Sequence, residues 1–319
     1  MKLQLLTAAL IFAGMATTAP VIAGKPTTAS VSQSGQRQSV TDSKDQIRLT
    51  RVTPEYWRVT FHNPPYNIYG PGTMPQLNEV VTAIESDPKV KVVVFDSDVP
   101  GFFLTHYDFM PPLEETTRLP NGPTGLPPLP DMLVRLSKAP VISIASIRGR
   151  ATGVGSELAL ASDMRFASRE KALLSQFEVG AGFTPGGGPM ARLPRMIGRG
   201  RALEVLVTGS NIDGDLAERY GYVNRALPDA ELDRFVDTMA RRIASFDKQT
   251  LADIKKQVDV SSLPADAELG AEWQSFLTSV QRQPAQQRIG RLMELGLQTN
   301  PDVEQRLTDY TGTLGQPTK

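Results

Sequence analysis

The sequence predicts an α/β fold, because apolar runs typical of strands buried on both faces alternate with segments of helical periodicity. Residues 90–95 and 141–147 are runs of strand length, apolar apart from Lys91 in the first and Ser143 and Ser146 in the second, as expected where both faces of a sheet are covered. Leu77, Val80, Val81 and Ile84 recur at helical spacing before the first run, and a second helix is expected around residues 131–137, before the second. Strands alternating with helices define an α/β architecture.

The chain opens with Met1-Lys2, an apolar run over residues 3–16, and small residues ending in Val21-Ile22-Ala23. This is the pattern of a secretory signal peptide (residues 1–23), with cleavage expected after Ala23. Gln4 and Thr7 interrupt the run, which falls short of the roughly 20 apolar residues needed to span a bilayer. The mature chain is therefore expected to be exported, periplasmic or secreted, with no membrane partner after cleavage. Residues 24–45 are rich in Ser, Thr, Gln and Gly with almost nothing large to bury, and read as a linker.

The folded core is expected from Gln46. Ile47, Leu49 and Val52, then Tyr56, Trp57, Val59 and Phe61, form two β-rich runs broken at Pro54-Glu55, which reads as a hairpin. Thr73 is the expected cap of a helix that runs to Ser86 and is stopped by Asp87-Pro88. Residues 111–130 hold a dense set of prolines with Gly122 and Gly125 and read as a long surface loop, either a lid or a tolerated insertion. Beyond Asp229 the pattern is helical, over residues 230–244, 251–258, 267–280 and 285–297.

Composition narrows the function classes. Of 319 residues, 40% are hydrophobic and 21% charged, as in ordinary globular proteins. Lys and Arg (34) balance Asp and Glu (34), so there is no net field to gather nucleic acid. With no cysteine, thiolate catalysis, disulfides and cysteine-ligated metals are excluded. The two histidines, His62 and His106, are too few for a histidine-rich metal site, so no metal is expected.

The stretch from Gly149 to Asp163 follows a buried run with glycines that permit a sharp turn into a helix, whose first N–H groups can face an anion. On spacing alone it reads first as a plain strand-to-helix turn. Glu157 falls in the first turn of that helix, and Glu178 in a second loop leading to Pro185-Gly-Gly-Gly. Two carboxylates brought to one cleft can share acid and base work; the alternative is a dipole-complementing Glu157 and a solvated Glu178. Arg192, Arg195, Arg199 and Arg201 could meet phosphate groups, but as a set on a helix-rich surface they read first as solvated charge, and no role is assigned to them.

Lys138-Ala-Pro-Val-Ile-Ser-Ile-Ala-Ser-Ile-Arg-Gly149, the glycine turn with Glu157 and Asp163, and Glu178 followed by Pro185-Gly-Gly resemble consecutive signature segments of the enoyl-CoA hydratase/isomerase (crotonase) superfamily. Asn63-Pro64 with Asn67, the run 90–95, and the segment from Leu206 through Gly209 to Val223 fall in matching order. The resemblance covers about residues 46–260. It implies a spiral core of ββα units over 46–260 and a C-terminal helical region (261–319) that packs between subunits of a homo-oligomer, a trimer or hexamer. It implies an acyl-CoA thioester as substrate, with no other cofactor, whose carbonyl is held by two backbone N–H groups that match Tyr107 and Val154.

The glutamates that act on water and the α-carbon match Glu157 and Glu178, with Thr105, His106 and Gly153 beside the substrate. The implied reaction is that of a lyase adding water to an α,β-unsaturated acyl thioester through a stabilised enolate. Double-bond isomerisation or thioester hydrolysis on the same scaffold, or exported acyl-ligand binding without turnover, are the alternatives. Two departures stand out. His106 and Tyr107 occupy the segment Phe103-Leu-Thr-His-Tyr-Asp108, where the family commonly has small residues, and Val154 replaces a usual glycine, which would be strained at positive φ. His106 is open to two readings, a pocket acid or base and a packed, satisfied side chain.

Overall fold

The computed structural model describes residues 45–315; the expected signal peptide and nearly all of the linker lie outside them. The first sheet begins with the expected hairpin, β1 (Ile47–Arg51) and β2 (Tyr56–Phe61), paired antiparallel. Helix α1 (Thr73–Ser86) buries Leu77, Val80, Val81 and Ile84, the positions marked by periodicity. Gly72, not Thr73, stands at its cap: Thr73 is already helical, and its hydroxyl donates to the Ile68 carbonyl at 3.1 Å. Asp87 ends the helix by accepting the Lys89 and Val90 N–H groups at 2.7 and 3.0 Å, turning the chain into β3 (Val92–Ser97).

The proline-rich segment is not wholly irregular. It contains the short helix α2 (Glu114–Thr117), and α3 (Pro128–Lys138) already begins inside it. Pro128 suits a first helical position, where its missing N–H is not needed. Next come β4 (Ile142–Ile147), β5 (Arg150–Thr152), α4 (Val154–Ala161), β6 (Met164–Ser168) and β7 (Leu173–Ser175). They are followed by α5 (Pro189–Ile197), α6 (Arg199–Thr208), β8 (Ile212–Asp213), α7 (Gly214–Tyr220) and β9 (Arg225–Leu227). The chain closes on α8 (Asp229–Ala244), α9 (Lys248–Ser262), α10 (Asp266–Val280), α11 (Gln283–Leu295), α12 (Pro301–Gln305) and α13 (Leu307–Thr313). The last two lie beyond the helical pattern read from the sequence, and the expected core boundary at 260 falls inside α9.

Six strands form one sheet in the order β1-β2-β3-β4-β6-β9, parallel from β2 onward, and β5, β7 and β8 form a second. Alternation along the large sheet sorts its side chains. Tyr56, Val92, Val94, Ile144 and Phe166 pack on Leu232, Val236 and Ala240 of α8. Trp57, Val59, Val93, Phe95, Ala145 and Ile147 join the larger core on the other face. Both faces are covered, so β3 is apolar at successive positions, each buried side chain contributing about 1.5–3 kcal/mol. Asp163 ties the end of α4 to the sheet: its Oδ2 accepts Ser143 N–H at 2.8 Å and Lys255 Nζ–H at 2.9 Å.

Candidate active site

Where β5 ends, the chain must reverse into α4 within one residue. Gly153 makes the turn at φ 54°, and Val154 is the first helical residue. The positive φ therefore falls on the glycine, and a β-branched Val154 is accommodated without strain. As the opening residue of a helix, Val154 has an N–H with no intrahelical acceptor, oriented along the positive end of the helix dipole. Gly155 lets α4 lie against the neighbouring backbone: a Cβ there would stand 1.6 Å from the Leu104 carbonyl oxygen. The Gly155 N–H instead donates to the Thr105 carbonyl at 3.2 Å.

The segment 103–108 that meets this helix is laid down as an irregular strand. Phe103 N–H donates to Arg150 O at 2.8 Å, and Thr105 N–H to Asn67 O at 3.0 Å. Asn67 is fully buried at φ 52°, and its Nδ2 donates to Phe103 O at 2.6 Å, which gives the Asn63/Asn67 motif a structural role. Tyr69 pairs with Tyr107 in a parallel bridge, donating to His106 O at 3.0 Å and accepting from Asp108 N–H at 2.8 Å.

Tyr107, Val154, Glu157 and Glu178 all line one cavity of about 390 Å³. Both glutamates are buried, so neither the dipole-only nor the solvated reading describes them. Glu157 Oε1 accepts the Gly187 and Gly186 N–H groups at 2.7 and 3.2 Å, which explains the glycine run after Pro185. Burial raises its pKa to about 7, against the opposing pull of those two N–H groups and of Arg192. Glu178 is pushed well above the ordinary carboxylate range, first by burial and then by the Glu157 charge. Among the described residues its Oε2 has no hydrogen-bond partner. Two carboxyls in such surroundings titrate as a pair, and the state with Glu178 protonated and Glu157 ionised holds an acid and a base together near neutrality.

The remaining wall is apolar. Phe109, Phe177 and Phe183 meet Trp273 and Phe276 of α10, and Ile289 comes from α11. Phe183 packs edge-on to Phe177 and to Phe276, at centroid separations of 6.3 and 5.9 Å. The C-terminal region expected to pack between subunits thus also supplies the wall of its own chain's cavity. Met110, Pro111, Pro112 and Leu113 line the mouth, which favours a binding role for the start of the proline-rich segment over a neutral insertion.

Thr105, His106 and Gly153 support the wall from behind and are not among its lining residues. The Thr105 hydroxyl donates to the Tyr66 and Asn67 carbonyls at 2.9 and 3.1 Å, and a Cβ at Gly153 would stand 3.0 Å from Glu178 Oε1. His106 is buried with both ring nitrogens engaged, one 2.7 Å from Tyr107 O and the other 3.1 Å from Glu304. Of the arginines read as solvated, Arg192 is buried, 4% exposed; burial lowers its pKa to about 10, with Glu272 opposing. Trp273, Phe276 and Glu304 were not singled out by the sequence, since nothing local distinguishes them from other core or helix-surface positions.

The enoyl-CoA hydratase/isomerase family model matches residues 56–294. Among curated proteins, the chain is 35% identical over 181 residues to a crotonyl-CoA hydratase of Syntrophomonas wolfei, covering 56% of this chain and 68% of that one. It is 32% identical over 163 residues to the mitochondrial methylglutaconyl-CoA hydratase of Mus musculus, half of each chain. Among solved structures, a putative enoyl-CoA hydratase from Streptomyces avermitilis superposes with a TM-score of 0.79 at 41% identity, covering 88% of this chain and all of the other. The chain belongs to the enoyl-CoA hydratase/isomerase (crotonase) superfamily, has its α/β fold with C-terminal helices, and is an enzyme of that family.

Proposed function

We propose that the protein is a hydratase that adds water across the double bond of an α,β-unsaturated acyl thioester. The observation that carries this reading is the convergence of Glu157, Glu178, Tyr107 and Val154 on one apolar cavity. In this reading the Tyr107 and Val154 N–H groups hold the thioester oxygen, and negative charge that builds there is met by the dipole of α4. Glu157, kept partly ionised by two backbone donors, takes a proton from water as its oxygen bonds to the β-carbon. Glu178, protonated because it is buried beside Glu157, delivers a proton to the α-carbon. The water molecule is thereby divided across the double bond, and proton exchange between the carboxyls and solvent restores the starting state.

The aromatic wall would exclude bulk water from a bound acyl chain, so that a water held between the carboxyls would be the one to react. The hydratase names of the relatives agree with this choice among the reactions that the family scaffold serves. Loss of the conjugated double bond of a crotonyl thioester, followed by ultraviolet absorbance with the purified protein, tests the reading. Steady hydration is expected. Migration of the double bond without water uptake, release of free thiol, or binding without turnover would each replace it, with isomerase, hydrolase or binding protein respectively.

A further inference from the structure

The loop that carries Tyr107 is held by residues far away in sequence. His106 Nδ1 lies 2.7 Å from the Tyr107 carbonyl oxygen. A carbonyl only accepts, so Nδ1 bears a proton. On the other side of the ring, Nε2 lies 3.2 and 3.1 Å from the two carboxylate oxygens of Glu304 on α12, 198 positions along the chain. Both side chains are buried. Glu304 also accepts the Gln298 N–H at 2.7 Å. Gln298, at φ 68°, spreads its side-chain amide over the same loop. Its Oε1 accepts Phe109 N–H at 2.7 Å, and its Nε2 donates to Asp108 Oδ1 at 2.6 Å.

The loop is thus gripped from two sides. Tyr69 fixes the His106 carbonyl and the Asp108 N–H, while Glu304 and Gln298 fix the His106 ring, the Asp108 side chain and the Phe109 N–H. A trans peptide points its C=O and N–H in opposite directions. Tying the His106 carbonyl to Tyr69 therefore turns the Tyr107 N–H to the opposite side, and the Nδ1 bond to Tyr107 O fixes the next peptide plane. A buried ion pair is a poor source of net stability, but removing one partner leaves the other charge buried and uncompensated.

We propose that Glu304, acting through His106, and Gln298 are positioning residues that hold the loop 106–109 so that the Tyr107 N–H meets the thioester oxygen. This rests on the hydratase reading above for the reaction, and on the geometry of the loop alone for the positioning. The charged state fits the role. Burial works against the His106 charge, yet Glu304 keeps its pKa above the ordinary histidine value. Glu304 in turn is held below the usual carboxylate range, despite burial, by His106, Gln298 and Arg150. The groups facing the pair are Asp108 on the loop, Arg150 on β5 and the Tyr66 hydroxyl; Asp309 on α13 acts on Arg150. The pair should loosen when His106 loses its proton on the alkaline side, or when Glu304 gains one on the acid side.

The test compares wild type with Glu304→Gln, Glu304→Asp and Gln298→Ala, by steady-state hydration of a crotonyl thioester across the pH range in which each is folded. It adds the infrared carbonyl stretch of bound butyryl-CoA, a saturated thioester that cannot be hydrated. Glu304→Gln should lower kcat by about 10- to 100-fold with a smaller change in KM, because the donor matters most as charge develops on oxygen. Its alkaline limb should move to lower pH, since a neutral amide no longer holds the His106 proton, and Glu304→Asp should recover part of both. In Glu304→Gln and Gln298→Ala the bound carbonyl stretch should return toward that of free thioester. If Glu304→Gln does not fold, Gln298→Ala, which keeps the ion pair, decides by kcat and carbonyl stretch. Wild-type kcat, an unmoved alkaline limb and an unchanged stretch would overturn the positioning role. Absence of hydration in wild type would overturn the hydratase reading alone, because the stretch still reports on the loop. A wild-type stretch unshifted by binding, or no binding, would overturn both.

Discussion

Substituting Gly155 by alanine tests whether the close approach of α4 to segment 103–105 builds the site. The added Cβ would stand 1.6 Å from Leu104 O and 2.4 Å from Leu104 C, both backbone atoms that no rotamer change can move aside. Ordinary contact begins at 3.4 Å, so the helix and the segment must part by nearly 2 Å. That separation breaks the bond from Gly155 N–H to Thr105 O and moves Val154 away from Tyr107. Overpacking of this kind costs about 1–3 kcal/mol, of which alanine's better helix propensity returns up to about 1. For a net cost of about 1–2 kcal/mol, the expected fall in melting temperature is about 2–8 °C for a domain of this size. Turnover should fall further than stability suggests, by about 100-fold, because a displacement of about 1 Å at reacting groups is enough to do so. Gly290→Ala on α11, where nothing lies within 4 Å of the added methyl, is the control and should stabilise by about 0.5–1 kcal/mol. Thermal melts and crotonyl-thioester hydration on the three proteins decide the matter. A Gly155→Ala protein that melts and turns over like wild type would refute the account of how the two N–H groups are brought together.

Glu157→Gln and Glu178→Gln should each lower turnover by about 10²–10⁴-fold with the fold intact by circular dichroism, the range usual for a positioned acid or base; full activity in both would remove the carboxylates from the mechanism. The same Glu178→Gln change should stabilise the protein. A carboxyl whose folded pKa is raised binds its proton more tightly in the folded state, so its contribution is intact below the unfolded pKa and falls as pH rises through the folded one. The gain in melting temperature over wild type should therefore be small below the unfolded carboxylate pKa of about 4.3 and grow as pH rises from there toward the raised folded value; a gain that shrinks with pH would show the sign to be wrong. Ile254, Val258 and Val260 on α9 are exposed in one chain, 59, 57 and 80%, which together with the resemblance leads us to propose a trimer; light scattering at a monomer mass over a wide concentration range would contradict it. Intact-mass analysis of the exported protein is expected to give a chain beginning at Gly24, and retention of Met1 would remove the proposal of a cleaved signal.

What could be read from sequence follows the range of the physics that produced it. Side-chain alternation and helical spacing are local, so the hairpin, α1, β3 and the four long C-terminal helices were legible from runs such as 90–95 and from Leu77, Val80, Val81 and Ile84. Thr73 was misread as a cap because its hydroxyl turns back to the Ile68 carbonyl and to Gln46, 27 positions earlier, and the second of these partners lies beyond any local pattern. The proline-rich segment hid α2 and the start of α3 because proline at a first helical position carries the same letter as proline in a loop. At the site, the glycine turn and the two glutamates were visible as ordered motifs, but their burial was not, since it comes from residues distant in the chain, Gly186 and Gly187 against Glu157 and Trp273 and Phe276 of α10 lining the same cavity. The positive φ at Gly153 could not be assigned between neighbours until the turn was seen. Least legible were contacts between residues far apart in the chain. His106 alone was ambiguous because its partner lies 198 residues away on α12, a helix of five residues too short to leave a periodic signature. A histidine where the family commonly has a small residue was a local departure whose compensation is distant. The loop that tolerates His106 does so because Glu304 and Gln298 are present to engage it, so the substitution and the C-terminal segment must be read as one feature.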